Sequence, residues 1–258
     1  MVQLIIPCYN EATRFNINAF LDYFKGLENV HILFVNDGST DSTQELLLTI
    51  QLECETRNDN ASVSIIKLPS NVGKAEAVRQ GMRVATKKPN IKFVAYFDAD
   101  LATPLTEVKN LLNAMLNDSR RKMVMGARIK KAGSHIERSA VRHYTGRIFA
   151  TVVNNLILKI AIYDTQCGAK MFTKECAQQI FAKPFVSRWL FDIELISRIQ
   201  MKYPTDQLNK IIYEQPLNTW KEMGDSKIRM KDLVEMPHQL FQIYKKQRDD
   251  FKKNEGMV

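Results

Sequence analysis

Over the first 130 residues, apolar positions come in short solid runs separated by polar, helix-spaced stretches. "VQLIIP" (2–7), "VHILFVND" (30–37), "SVSIIKL" (62–68), "KFVAYFD" (92–98) and "KMVMGAR" (122–128) are too short for helices. They are apolar on both sides, as strands covered on both faces must be. Between them, helical spacing is expected over roughly 13–26, 41–56, 73–87 and 105–118. Strands that alternate with helices in this way predict a mostly parallel central sheet with helices on both faces, an α/β fold.

The pattern changes after residue 130. Val141, Tyr144, Ile148, Phe149, Val152, Val153, Leu156, Ile157 and Ile160 recur at three-and-four spacing, which predicts one long amphipathic helix over 139–162. A loop "DTQCG", a short strand "AKMF" and a helix "SRWLFDIELISRIQMKY" follow. A last helical pattern runs from about 228 to 251 and is expected to be interrupted at Pro237, because proline removes a helix hydrogen bond. No linker divides the chain. Residues 1–258 read as one domain: a ligand-binding half (1–130), an acceptor-side half (131–227) and a basic C-terminal helix and tail (228–258).

In sheets of this class, ligands bind beyond the carboxyl ends of the strands. The strand ends here are polar: Pro7-Cys8-Tyr9-Asn10-Glu11, Asn36-Asp37-Gly38-Ser39-Thr40-Asp41, Asn71-Val72-Gly73-Lys74 and Asp98-Ala99-Asp100. Each alone has a plain reading. Asn-Asp-Gly is a turn signal, and Ser42 with Glu45 suits a capping box. Together, four such ends on one edge point to a ligand site.

Asp98 and Asp100 carry the sharpest chemistry. Positions two apart on an extended chain share a face, so two carboxylates there repel unless a cation lies between them. Such a hard, oxygen-rich pair suits Mg²⁺ or Mn²⁺, with waters and substrate phosphates completing the shell. The sequence lacks the G-x-x-x-x-G-K-[ST] and G-x-G-x-x-G patterns of phosphate-loop ATPases and dinucleotide enzymes. Nucleotide-sugar enzymes are the large metal–diphosphate class that remains on such a sheet.

Charge adds a second feature. Of the net +9, a net +8 falls between Arg120 and Arg147, where nine Lys or Arg face a single acid, Glu137. Blocks of this kind are either solvated faces or sites for phosphate or anionic lipid. Nothing in the block resembles a nucleic-acid-binding motif, and no nucleic-acid partner is expected. Cys8, Cys54, Cys167 and Cys176 are scattered without a C-x-x-C pair, which fits a reducing compartment. Met1 leads directly into a strand, leaving no room for a signal peptide. The apolar stretch 147–163 is broken by Asn154, Asn155 and Lys159 and falls short of the ~20 residues that span a bilayer. A cytoplasmic protein, peripheral at the inner face of a membrane, is the resulting expectation.

The stretches "LIIPCYNE", "FVNDGSTDST", "NVGKAEAVRQG" and "FDADLATP" resemble, in order and spacing, the donor-site motifs of family 2 glycosyltransferases with the GT-A fold. "GAR", "RSAVRHYTGRIFATVVN", "DTQCGAKMF", "RWLFDIELI" and "NTWKEMGDSKI" are similar to the dolichyl-phosphate glucosyltransferases and their bacterial polyprenyl-phosphate relatives. The resemblance covers nearly the whole chain. It implies that Asp37 bonds the nucleobase of a UDP-sugar and that Pro7, Tyr9 and Glu11 line the nucleoside pocket. It places Lys74 at the donor diphosphate or sugar and Asp98 at the ribose or metal, with Asp100 holding the metal. Ser226 and Lys227 would close over the pyrophosphate. Arg128, Arg138 and Arg142 would meet the acceptor phosphate or donor diphosphate, since guanidinium forks suit phosphate oxygens. Asp164, Gln166 and Cys167 would shape the acceptor pocket.

The family reaction inverts the anomeric centre. A lipid phosphate acceptor is already ionised at neutral pH and needs no base. A sugar hydroxyl acceptor would need one, and Asp192 is the candidate. The expected activity is transfer of a hexose, glucose first among candidates, from a UDP-sugar to a polyprenyl phosphate. The alternatives are transfer to a sugar hydroxyl during polysaccharide synthesis and a non-catalytic basic module at a membrane.

Overall fold

The computed structural model describes residues 1–25, 29–57, 62–223 and 230–255, without the side chains of 141–142, 230–234 and 251–255. The first half alternates as expected: β1 (Val2–Cys8), α1 (Ile17–Lys25), β2 (Val30–Asn36), α2 (Thr43–Arg57), β3 (Ser62–Lys67), α3 (Lys74–Ala85), β4 (Phe93–Phe97), α4 (Glu107–Leu116) and β5 (Met123–Ala127). Then come β6 (His135–Glu137), α5 (Ala140–Val153), β7 (Ala169–Thr173), α6 (Lys174–Ile180) and α7 (Phe191–Gln200). The chain finishes with α8 (Leu208–Ile211), β8 (Ile212–Pro216), β9 (Thr219–Lys221) and α9 (Met230–Glu255).

Among the described residues, seven strands form one sheet in the order β3-β2-β1-β4-β7-β5-β8, and β6 pairs with β9 apart from it. All neighbours in the main sheet are parallel except β7, which runs antiparallel to both β4 and β5. The sheet is covered on both faces. Ile5, Leu33, Val35, Val94 and Tyr96 pack into one core with α3, α6 and α7. Leu4, Ile6, Ile32, Phe34 and Phe97 pack into another with α1, α2 and α4. Alternate residues of the same strands feed opposite cores, which explains why these strands are apolar throughout.

The reversed strand matters for the site. Because β7 runs against β4, its first residue, Ala169, pairs with the last residue of β4, Phe97. The loop 164–168 is thereby delivered to the carboxyl edge where the β4 acids emerge. Pro216 is tolerated because β8 lies at the sheet edge, where one side of the strand needs no ladder bonds.

Several expectations change. The first helix starts at Ile17, because the Arg14 and Phe15 amides close a turn onto the Glu11 carbonyl. At the start of α2, the Asp41 carboxylate accepts the Thr43 N–H at 3.0 Å and reaches across to the Ala12 N–H at 3.1 Å. The single helix expected over 139–162 is α5 followed by a π-helical turn, Asn154–Leu158. That turn ends at Lys159, whose φ is 52°, and the Asn154 amide donates to the Ile162 carbonyl at 2.6 Å. The helix expected from Ser187 begins at Phe191, with the Ser187 hydroxyl accepting the Trp189 and Leu190 amides. Helix α9 continues through Pro237 without interruption. It packs on the domain through Met236, Leu240 and Ile243, and Lys246 pairs with Glu194 of α7 at 2.7 Å.

Candidate active site

The carboxyl ends of β1, β2 and β4 open into a cavity of about 1370 Å³. Pro7, Tyr9, Glu11, Asp37 and Lys74 all line it. The Glu11 N–H donates to the Thr43 hydroxyl at 2.8 Å, tying the end of β1 to the start of α2. The Glu11 carboxylate pairs with Arg14, which also reaches Asp100 at 3.5 Å. Arg14 carried no role in the sequence reading, because it was placed inside a helix rather than in the turn before one.

Asp37 is 3% exposed. Its carboxylate accepts the Val72 N–H at 2.8 Å, the Gly73 N–H at 2.9 Å and the Asn71 amide at 3.0 Å. It therefore fixes the loop that starts α3 and carries Lys74. Burial pushes its carboxyl up, and the two backbone bonds draw it partly back. Gly38 beside it has a φ of 62°, and a Cβ there would enter the Ser70–Asn71 backbone, so this turn requires glycine.

Strand β4 ends at Phe97, and the acid pair sits in the turn beyond it rather than on extended chain. The Asp98 N–H donates to the Gly168 carbonyl at 3.1 Å. Asp100 accepts the Ala102 N–H at 3.0 Å, and Leu101 between them takes a φ of 56°. Both acids line the cavity. Lys74 Nζ lies 2.5 Å from the Asp98 carboxylate. Burial opposes the Lys74 charge, but Asp98 and then Asp192 outweigh it and hold the ammonium above its usual range. Burial and the Asp98 charge push the Asp100 carboxyl up.

This donor set fits a hard divalent cation. It offers two carboxylates that line a cavity roomy enough for a diphosphate. Among the described residues no cluster of three or more His, Cys, Asp or Glu could hold an ion alone. The pair therefore suits an ion that shares its shell with substrate phosphate and water. Gly168 completes the arrangement: a Cβ there would run into the Asp98 carboxylate. The sequence showed that glycine only as part of a loop.

The cavity is also lined by cations. Arg128 and Arg138 line it with Gln166, Gly146 and Trp220. Arg128 grips Asp164 with both arms of its fork, at 2.6 and 2.7 Å, and lies 5.2 Å from the Trp220 ring centre. Burial works against the Arg128 charge, but Asp164 holds the guanidinium well above its ordinary range. Burial and then the Arg128 charge lower Arg138. Its guanidinium fills the space a side chain at Gly146 would take. The Gln166 amide nitrogen has no hydrogen-bond partner among the described residues. Arg142 lies in the first turn of α5, but its side chain is outside the described residues, as are Ser226 and Lys227.

Asp192, near the start of α7, also lines the cavity. Its carboxylate pairs with Lys170 at 2.8 Å and accepts the Tyr96 hydroxyl. Lys170 is 0% exposed and also donates to the Cys167 carbonyl at 2.6 Å. Burial and the Asp192 charge push the Tyr96 hydroxyl well up, so it stays a donor. All four cysteines are free and buried. The Cys167 thiol is pushed up to about 11 by burial, which leaves it no thiolate for chemistry at neutral pH.

Known proteins resemble the chain in sequence and in fold. The family model described as glycosyl transferase family 2 matches residues 3–181. A dolichyl-phosphate β-glucosyltransferase of Trichomonas vaginalis is 30% identical over 257 residues, covering 93% of this chain and 69% of that protein. One from Dictyostelium discoideum is 30% identical over 240 residues, covering 88% and 68%. The human protein of the same name is 27% identical over 252 residues, covering 86% and 72%. Among solved structures, glucosyl-3-phosphoglycerate synthase from Mycobacterium tuberculosis, in complex with Mn²⁺, UDP and phosphoglyceric acid, superposes with a TM-score of 0.67. That match is 15% identical in sequence and covers 96% of this chain and 78% of the other, a likeness of fold. The chain belongs to the family 2 glycosyltransferases and is a glycosyltransferase with the GT-A fold.

Proposed function

We propose that the protein transfers glucose, with inversion, from UDP-glucose to a polyprenyl phosphate in a reaction that depends on Mg²⁺ or Mn²⁺. The observation that carries this reading is a single cavity lined by both the Asp98–Asp100 acid pair and the Arg128–Arg138 pair. A donor diphosphate with its metal suits the acid pair, and an acceptor phosphate suits the arginines. The names of the relatives and the UDP–Mn²⁺ complex of the structural neighbour support the same assignment.

Asp98 and Asp100 would hold the divalent ion. When bound, it would neutralise the diphosphate and act as a Lewis acid toward the leaving oxygen. Lys74 places a fixed positive charge beside Asp98, where it would stabilise a leaving diphosphate. Arg128 and Arg138 orient the acceptor phosphate, whose second pKa of about 6 leaves it ionised at neutral pH. One of its oxygens bonds to the anomeric carbon as the bond from that carbon to the diphosphate breaks, and UDP departs. No proton has to be removed, so the chain's contribution is positioning and charge.

The rival reading, transfer to a sugar hydroxyl, would use Asp192 as base, and its favourable observation is that Asp192 lines the cavity. Against it, that carboxylate already serves Lys170 and Tyr96.

A lipid acceptor implies a membrane surface. Along α5 and its π-helical extension, Tyr144, Ile148, Val152 and Leu156 stand four apart and are 42–67% exposed. The stripe suits the boundary of a bilayer and supports a peripheral enzyme, with the inner membrane face as the site proposed. No helix among the described residues is long and apolar enough to cross a membrane.

The test is incubation with labelled UDP-glucose, Mn²⁺ and undecaprenyl phosphate. Metal-dependent labelled lipid supports the proposal. Its absence, with label entering a soluble glycan, would establish the rival.

A further inference from the structure

Behind the arginines lies a carboxylate with no place yet in the chemistry. Glu214 stands on β8, paired in register with Met125 of β5, three residues before Arg128. It lines not the substrate cavity but a separate one of about 200 Å³, with Ile162, Leu208 and Tyr213. It touches no substrate there. Its two oxygens accept consecutive backbone amides, from Tyr163 at 2.7 Å and Asp164 at 2.8 Å.

Those amides belong to the residues that set Arg128. The Asp164 carboxylate takes both arms of the Arg128 guanidinium and its backbone N–H at 3.1 Å. The same dipeptide is held from a third side by Arg147 of α5. That arginine donates to the Tyr163 carbonyl at 2.7 Å and lies over the Tyr163 ring at 3.9 Å. A loop between a π-helical turn and a strand would otherwise leave Asp164 several conformations, and a bidentate pair needs one.

We propose that Glu214 is a positioning residue: by fixing the 163–164 backbone it aims Asp164, and through it the Arg128 guanidinium, at the acceptor phosphate. The last step of that chain rests on the phosphate acceptor proposed above; the first two do not. Glu214→Gln keeps the size of the side chain but can accept only one of the two amides, because its nitrogen is a donor.

Two measurements test the chain. The first needs no substrate. Solvent exchange of the Arg128 Nε–H, assigned by its loss in Arg128→Lys, is followed by NMR. It should speed up by roughly tenfold in Glu214→Gln, in line with the loss of one hydrogen bond to a charged group. The Nε–H of Arg79, which donates to Glu76 at 2.6 Å in a different part of the fold, should not change. An unchanged Arg128 signal overturns the proposal.

The second is a double-mutant cycle. Glu214→Gln should raise the KM for undecaprenyl phosphate about tenfold in the parent enzyme, leave the KM for UDP-glucose alone, and have little effect in an Arg128→Lys background. An equal effect in both backgrounds means that Glu214 acts independently of Arg128 and overturns the proposal. No transfer in the parent enzyme would sink the acceptor assignment alone, and the exchange measurement would still decide the role of Glu214. Should Glu214→Gln fail to fold, Glu214→Asp, which withdraws the charge by one methylene, is read by the same exchange measurement.

Discussion

The Lys170 ammonium lies 2.8 Å from the Asp192 carboxylate, with side chains 0% and 6% exposed. A lysine in the middle of a sheet strand is expensive to bury unless paired. Here β7 carries it between β4 and β5, where Asp192, the Cys167 carbonyl and the Tyr96 ring surround it. The carboxylate named above as a possible base is thereby committed to the fold.

Asp192→Asn separates the two acceptor readings. Leaving Lys170 buried without its counter-charge should cost about 3–5 kcal/mol of stability, visible as a lower urea midpoint. Per folded molecule, kcat for a lipid phosphate should fall by less than about tenfold, whereas loss of a general base costs roughly 10²–10⁴. A fall of the larger size in protein shown to be folded would restore Asp192 as the base.

Asp100→Ala should abolish the metal-dependent part of UDP binding. Calorimetry with Mn²⁺ should show the affinity of the variant reduced to that of the parent in EDTA. An Mn²⁺ effect that survives the substitution would remove Asp100 from the metal site.

Gly168→Ala tests whether the loop before β7 shapes the same site from the other side. The added Cβ has no room beside the Asp98 carboxylate, so the acid must swing away from Lys74 or the loop must move. UDP–Mn²⁺ affinity should drop at least about tenfold, while stability falls by the ~1–3 kcal/mol typical of overpacking. Unchanged affinity would mean that Asp98 can be displaced without consequence.

Much of the cavity lining at the strand ends was legible because its signals are local. Solid apolar runs mark doubly covered strands, and such strands end on one edge, so Asp37, Lys74, Asp98 and Asp100 could be gathered without coordinates. Pairings set by long-range topology were not legible. Lys170 meets Asp192 because β7 is inserted between β4 and β5, a placement that the local pattern does not encode. Glu214 and Gly168 act through backbone groups that no side-chain pattern encodes. Pro237 misled because a missing amide bond weakens a helix locally, while Met236, Leu240 and Ile243 hold α9 on either side of it.

The Asp164–Arg128 pair should leave a mark on acid stability. Burial alone would raise the Asp164 carboxyl; the Arg128 charge and hydrogen bonds overcome it and hold the group below its ordinary 3.8. A carboxyl depressed in the fold stabilises fully above its unfolded value and loses that contribution as pH falls through the folded one. Asp164→Asn should therefore be less stable than the parent by about 3–5 kcal/mol at pH 7 and pH 5. The gap should narrow as pH drops below about 4. Urea titrations at pH 7, 5 and 3 measure it, and a gap that stays constant across them would show that the ion pair contributes nothing.

The α5 stripe gives the last test. Ile148 and Leu156 are 66% and 62% exposed, so changing both to Asp should move stability by only about 0.5 kcal/mol each. If the stripe lies in a bilayer boundary, the same changes remove apolar contact and add negative charge beside anionic headgroups. Both act in one direction on partitioning. Co-sedimentation with vesicles containing phosphatidylglycerol should fall by about tenfold or more. Transfer to undecaprenyl phosphate in those vesicles should fall with it. Transfer to a short, water-soluble prenyl phosphate should not, because the Arg128–Arg138 pair is untouched. Equal sedimentation of parent and variant would take the stripe out of the membrane reading. A loss on the soluble acceptor as large as on the vesicles would show that α5 shapes the cavity itself rather than the approach to it.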